Sequence, residues 1–525
     1  MPDPEIRKRP RKKRKGSKKE LDQVEVKRVS FLEQHERRVI IILCILAGLR
    51  VLLFNAGFPF FNNVDEGAHF DMICRYSHGH IPKNLEHYTR ESSDRIIWSF
   101  TMEYLGAPGL TPRNVPPPLW RSTKEDKART YEGCLPYMKM KTNHESTQLP
   151  LYYAVMALWF KLGKLLTLNG GHLLYWLKII DVPIYALLVW VSHLFVKRFY
   201  ARDVFLRFGV PLLLVVFPQD LFYSINSDVF TPLLFSLSLY GLLVIYFSES
   251  KSYAYHLLTG LAVAATSLVK FSNMPVLLVL GILVAMRAWK GWKSGNLRAE
   301  APKLAVLCLV AVVPIALWLA RNHFVLGDIT GNAAKVTRLH WTYKPFAAIW
   351  SHPVFTAAGF SYFWAELMKT FWRGEFVWFE VPVASPGMDN LYVWSSSAFL
   401  IVSVIALWVS RKKHSAEERV AGAMGLCLFA VSVGMLAFLS TLFDFDGCRY
   451  PSRLHPFFTS GRLMFGAIVP FAILYLRGFD IILSRIGLAR ARWALLALLV
   501  VAVLLSEIEV SQCAFHSQYN WYRMF

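Results

Sequence analysis

The stretch VIIILCILAGLRVLLFNAGFPFFNNVDEGAHF, residues 39 to 70, decides how the chain is read. Its first part, Val39 to Gly57, is an unbroken apolar run of the length a membrane helix needs. Within a few residues of its end come Asp65, Glu66 and His69, with Asp71 just beyond. Carboxylates standing where a chain leaves a membrane raise the question of what they serve.

The whole sequence shares the character of that run. Its 525 residues are 54% hydrophobic and 15% aromatic, more apolar surface than one soluble core of that length holds, so the chain reads as an all-α polytopic membrane protein. The net charge of +22 could suggest nucleic acid, but ten of the basic residues lie in RKRPRKKRKGSKK between Arg7 and Lys19 and many others flank apolar runs. That distribution marks topology, and no nucleic-acid partner is expected. Residues 1–38 are too charged to bury a core and are expected to be a disordered cytoplasmic tail; an anionic membrane surface would attract it by roughly 1 kcal/mol per basic residue. A nuclear-localisation signal is the rival reading of the same run. The first apolar stretch begins near Val39 and lacks a small-residue cleavage site, so it reads as a retained helix and not a signal peptide. The cysteines, Cys44, Cys74, Cys134, Cys308, Cys427, Cys448 and Cys513, show no metal-binding spacing. Cys74 and Cys134 would share one external loop, which leaves a disulfide between them open.

Spanning helices need about 20 apolar residues and short cytoplasmic loops collect Lys and Arg, and together these rules predict about 11 spans. They are Val39–Gly57, Leu173–Val196, Phe208–Tyr223, Val229–Phe247, Leu257–Phe271, Pro275–Trp289, Leu304–Ala320, Leu391–Ser410, Val420–Leu442, Leu463–Leu476 and Trp493–Val510. The apolar segment Leu149 to Leu168 is ambiguous. If it crossed, KRFYARDVFLR would lie outside, against the positive-inside rule; as an amphipathic or re-entrant helix in the outer interface, carrying Lys161 and Lys164, it leaves every short inside loop net basic or carrying Lys or Arg. On that version the membrane domain runs from 39 to 510, with large external loops at 58–172 and 321–390 and an external tail at 511–525.

Ionisable residues in or beside spans collect on one side: Arg50, Lys178 with Asp181, Lys270 and Arg321, with Asp220 and Asp228 at one hairpin tip and Asp444, Asp446 and Arg462 at another. Each has a plain reading. Lys178 and Asp181 can neutralise one another, Arg50 and Lys270 can snorkel, His69 can orient Asp65, and Asp65 can cap the helix that follows. Together they suit an anionic lipid headgroup held by cations beside a carboxylate that takes a proton. An aromatic pocket after FPFFNN would raise the proton affinity of Asp65.

The order of motifs resembles the GT-C superfamily of polytopic membrane glycosyltransferases, which use polyprenyl-phosphate sugars, over nearly all of the chain after residue 38. VDEGAHF resembles the acidic motif after helix one, QLPLYY the element that ends the first external loop, INSDVFTPLLFSL the second-loop motif, and SLVKFSNMP with TSGRLMFGAIVP the later Lys and Gly-Arg elements. The resemblance implies Asp65 as general base, with Glu66 beside it in the catalytic motif. It puts Asp228 at the acceptor or a metal, and His69, Arg50, Lys270 and Arg462 among the groups that bind substrate. Leu463 departs from the family's usual Gly-Arg-Tyr and weakens the phosphate role of Arg462. A divalent cation (Mg or Mn) on Asp65, Glu66 and Asp228 is left open. The implied activity is inverting transfer of a sugar from a polyprenyl-phosphate donor to a glycan, lipid or protein acceptor outside a bacterial inner membrane. A transporter or flippase of a lipid-linked sugar, or a non-catalytic membrane subunit, would account for the same charges. The transporter predicts Gly- or Pro-broken spans paired across two halves, a pattern the sequence does not display.

Overall fold

The computed structural model describes residues 31–63, 65–105, 109–248, 252–409, 414–446 and 451–524. The basic run Arg7–Lys19 and Cys448 lie outside them. Lipid cannot hydrogen-bond a backbone, so a spanning chain must satisfy its peptide groups within helices. The secondary structure follows that rule. Besides short turns of helix at Phe31–Gln34 and Met102–Leu105, its first helices are α1 (Glu36–Gly57), α2 (Glu66–Ser77), α3 (Arg90–Ser99), α4 (Lys124–Met140) and α5 (Leu151–Leu165). Then come α6 (Gly170–Phe199), the short apolar α7 (Val204–Val215), α8 (Ser227–Phe247), the short apolar α9 (Tyr253–Val269), α10 (Phe271–Lys293) and α11 (Leu297–Leu326). The amphipathic α12 (Ala357–Arg373) precedes α13 (Pro386–Val409), α14 (Ala416–Leu442), α15 (Gly461–Arg485) and α16 (Ala489–His516). Among the described residues nine of these are long and apolar enough to cross a membrane. With α7 and α9 they stand where the basic loops predict spans, and the protein is an all-α, multi-pass membrane protein. Among the described residues strand is confined to two short antiparallel ladders, Thr342–Tyr343 with Phe443–Asp444 and Val377–Trp378 with Val381–Pro382, and an isolated bridge between His87 and Thr142.

The outward faces confirm the solvent. Leu53 of α1, Leu317 of α11, Trp408 of α13 and Leu505 of α16 are all more than half exposed, an arrangement suited to acyl chains. Helix α5 covers only 15 residues, roughly 22 Å and short of a hydrocarbon core of about 30 Å. It buries Tyr152, Tyr153, Met156 and Phe160 and packs on α2. Trp159 stacks on Trp176 of α6 at 4.0 Å, and each indole N–H donates to the other residue's carbonyl. Cys74 is buried, Cys134 exposed, and neither forms a disulfide.

One predicted span is cut short. Phe208–Tyr223 was expected to be helical throughout, but α7 ends at Val215, and Asp220–Tyr223 forms a separate 3-10 turn. Pro218 cannot continue the ladder, and the carbonyls released by the break need donors. Arg50 supplies them. Its guanidinium donates to Val215 O (3.1 Å) and Phe217 O (2.7 Å), while Nε meets Glu507 Oε2 at 2.8 Å and a further nitrogen meets the Tyr223 hydroxyl at 2.6 Å. Arg50 therefore closes a helix end and is buried inside the bundle, in place of the snorkelling reading.

Removing one member of a buried ion pair strands the other charge, at a cost of about 3–5 kcal/mol. Glu507→Ala should thus lower the thermal unfolding midpoint in detergent sharply. The joint change Arg50→Met with Glu507→Leu should recover part of the loss, because it leaves no charge behind.

Candidate functional site

Seven segments far apart in sequence bring ionisable groups to one end of the bundle. Asp65 comes first. It occupies the left-handed region (φ 64°, ψ 0°) at the start of α2, yet its side chain makes no cap bond. Aspartate tolerates that region better than most residues, and here it turns the carboxylate away from the helix. Oδ1 accepts from His144 Nε2 at 2.8 Å and Oδ2 from an Arg462 terminal nitrogen at 3.0 Å. The cap reading of Asp65 is therefore not what the side chain does.

Arg462 stands at the first turn of α15, where Gly461 lies against α12 so closely that a Cβ would meet Phe371 N at 2.1 Å. Only glycine permits that approach, which aims the next side chain inward. Besides Asp65, Arg462 lies 3.4 Å from Glu375 Oε2 and 3.8 Å from Asp228 Oδ2. Asp228 is completely buried and accepts from Lys270 Nζ at 2.7 Å. Lys270 sits in extended backbone between α9 and α10. There Asn273 pins the break by donating to the Thr231 hydroxyl (3.0 Å) and to Thr266 O (2.9 Å). The snorkelling alternative for Lys270 gives way to an ion pair. Three buried polar atoms of this cluster, Arg462 Nη1, Asp228 Oδ1 and Glu375 Oε1, find no hydrogen-bond partner among the described residues.

Asp65, Asp228, Lys270 and Arg462 are thus brought together, whereas the other expected site residues are not. Glu66 is buried and accepts from the backbone N–H of Asn62 and of Ile225, both at 3.1 Å. It clamps the exit of α1 to the loop before α8. Burial raises its carboxyl above the ordinary range, partly offset by Lys178 and the two amides. His69 is buried with Nδ1 2.9 Å from the Tyr153 hydroxyl, and burial pushes its imidazole down to about 4. Lys178 donates to the carbonyls of Asn55 and Phe58, both at 3.2 Å, and forms no ion pair with Asp181.

The structure adds groups the sequence reading passed over. His144 and Glu145 precede the Pro-Leu-Tyr-Tyr element in NHESTQLPLYY, Glu375 follows α12, and Lys335 pairs with Glu145. Their signal was sequence proximity to motifs already noticed. Burial acting alone would raise the Asp65 carboxyl, but the His144 hydrogen bond and the charges of His144, Arg462 and Lys335 hold it well below the usual range. This reverses the sequence expectation of a raised proton affinity, because cations and not aromatic walls dominate its surroundings. Glu145 is also buried, and Lys335 with His144 brings it to about 2. Asp65 Oδ1, His144 and Glu145 offer donor atoms within 4.8 Å of one another. The trio of Asp65, Glu66 and Asp228 offers no such cage, since both oxygens of Glu66 are engaged. On its other side Asp65 lines a cavity of about 240 Å³ walled by Phe61, Tyr88, Phe100, Tyr104 and Met138, with Lys141 at its edge.

These features define a multi-pass membrane protein with a partly enclosed charged site at one end of its helices. A family model described as a predicted membrane protein (DUF2142) matches residues 46–443, and the chain belongs to that family. The match includes Asp65, His144, Asp228, Lys270 and Glu375 and stops before Arg462. No curated protein and no solved structure matches the chain.

Asp220 tests the electrostatics beneath the site. Burial and the nearby Glu375 raise its carboxyl to about 7, while Asn63 and the Glu375 amide donate to it at 3.2 Å each. The folded state therefore holds this proton more tightly than the unfolded chain does. The resulting stability is complete below about pH 4 and is lost as pH rises through about 7. Asp220→Asn keeps the acceptor and removes the titration. Between pH 5 and 8 the wild type should lose roughly 2–4 °C more in its unfolding midpoint than the variant.

Proposed function

We propose that the protein is a membrane glycosyltransferase that moves a sugar from a polyprenyl-phosphate carrier to an acceptor on the extracytoplasmic side. The observation that carries this reading is the position of Asp65 between the cavity of about 240 Å³ and the Arg462–Asp228–Lys270 cluster. An acceptor in the cavity and a phosphate at the cluster would meet at that carboxylate.

The chemistry asks little of the protein. The acceptor hydroxyl or amine loses a proton, its oxygen or nitrogen bonds to the anomeric carbon, and the bond from that carbon to the phosphate oxygen breaks in one displacement. Asp65 accepts the proton, with His144 bonded to its other oxygen as a second station. Arg462 Nη1, which makes no hydrogen bond among the described residues, and Lys270 stabilise the departing phosphate. Arg462 also weakens Asp65 as a base while it pairs with it. A phosphate that draws the guanidinium away returns basicity to Asp65 when the donor is bound, which couples donor binding to proton removal. If a divalent cation takes part, Asp65, His144 and Glu145 would hold it, and it would supply charge neutralisation near the phosphate.

The reading places the protein in a bacterial inner membrane with its N-terminus in the cytoplasm. Both large loops then face outward. The donor is a polyprenyl-phosphate sugar and the acceptor an envelope glycan, lipid or protein.

In a deletion strain complemented with Asp65→Asn, the altered envelope glycan should persist, with the product falling by about 10²-fold or more at normal membrane abundance. Glu66→Gln should act differently, lowering abundance and the unfolding midpoint, because it replaces an acceptor with a donor facing a backbone N–H. A wild-type glycan profile with Asp65→Asn would refute the transferase. Accumulation of untransferred lipid-linked sugar on the cytoplasmic face alone would point to transport instead.

A further inference from the structure

The end of the bundle remote from Asp65 holds a second, larger cavity that the proposed chemistry does not use. Helix α15 begins with Arg462 at the site and runs to Arg485; Arg477 is thus roughly 20 Å further along its axis. Around Arg477 opens a cavity of about 980 Å³. Its walls are unlike each other. One side is apolar, formed by Ile405 and Val409 of α13 with Ile482 of α15, and the first two are themselves 54% and 69% exposed on the outward face. The other side carries Arg202, Arg477, Arg485 and Arg492.

The carboxylates at this cavity are already committed. Asp480 accepts from Arg492 at 3.1 Å, Glu418 is hydrogen-bonded to His414 Nδ1 at 3.1 Å, and Asp203 caps the Leu206 amide at 3.0 Å. Arg477 is only 8% exposed, yet its hydrogen bond is to the ring nitrogen Nε2 of His414 at 2.6 Å. Accepting that bond requires a neutral imidazole with its proton on Nδ1, and burial with the charge of Arg477 holds His414 below its ordinary range. Among the described residues neither Arg477 nor Arg202 nor Arg485 lies within 4.0 Å of a carboxylate. A buried guanidinium whose nearby carboxylates, Asp203 and the Glu418 behind His414, make no direct contact with it is costly.

We propose that this cavity binds the phosphate headgroup of an anionic phospholipid, with Arg477 as the buried anchor and the Ile405–Val409 wall taking the first part of an acyl chain. A soluble anion would have no use for an apolar wall continuous with the lipid-facing surface of α13. The volume also exceeds what a lone phosphate fills, whereas it suits an amphipath.

The test uses the full chain, purified in detergent and reconstituted into nanodiscs of phosphatidylcholine with a minor share of phosphatidylglycerol. After re-extraction and washing, the lipid retained per protein is measured by mass spectrometry. The wild type should retain phosphatidylglycerol above its bulk share, and Arg477→Gln should lower that enrichment about fivefold. Ala406→Trp, which fills the apolar side and leaves every arginine in place, should do the same if Arg477→Gln does not fold. Inorganic phosphate should not displace the retained lipid. Three results would overturn the proposal: no enrichment in the wild type, full enrichment in both variants, or displacement of the lipid by millimolar phosphate alone.

Discussion

One guanidinium holds the polar end of this protein together. Arg462 touches carboxylates from three separate segments, Asp65 after α1, Asp228 at the start of α8 and Glu375 beyond α12. An arginine can do this because its rigid fork presents several donors in one plane, where a lysine offers a single point charge. The fork arrives there only because Gly461 lets α15 press against the backbone of α12. Together with the hydrogen bond and charge of His144, its charge holds the Asp65 carboxyl well below the usual range beside an aromatic cavity, where burial alone would raise it.

A second constraint comes from the lipid. Wherever a helix breaks inside or at the edge of the bundle, the freed carbonyls and amides must find partners, and charged side chains meet that need. Arg50 closes the end of α7, Lys178 the end of α1, and Glu66 joins the loops after α1 and before α8. Each looks like a site residue by depth and charge. Each bonds backbone groups, so the charge cluster around Arg462 is smaller than the set of buried charges.

The two ends of the bundle then differ in a telling way. At the Asp65 end cations and carboxylates nearly match, and the polar atoms left over are few and buried. At the Arg477 end four arginines face three carboxylates around a wide opening with an apolar wall, and one of the arginines is buried without a direct carboxylate contact. The first arrangement suits a site that redistributes charge as its ligand arrives, the second a site that waits for a permanent anion.

Much was legible in the residue order alone. Apolar runs of the right length separated by basic loops determined the helical, multi-pass membrane architecture, because hydrocarbon thickness and leaflet charge act on short segments directly. The same local logic singled out Asp65, Asp228, Lys270 and Arg462. It could not separate them from Arg50, Glu66 and His69, nor reveal His144, Glu145 and Glu375. A hydrogen bond between residues hundreds of positions apart leaves no trace in composition or periodicity. Which carboxylate meets a guanidinium and which meets a backbone amide, and so which groups remain for a ligand, was decided by the packing of α12, α15 and the loop before α5 around the exit of α1, where distance through space and burial govern the electrostatics.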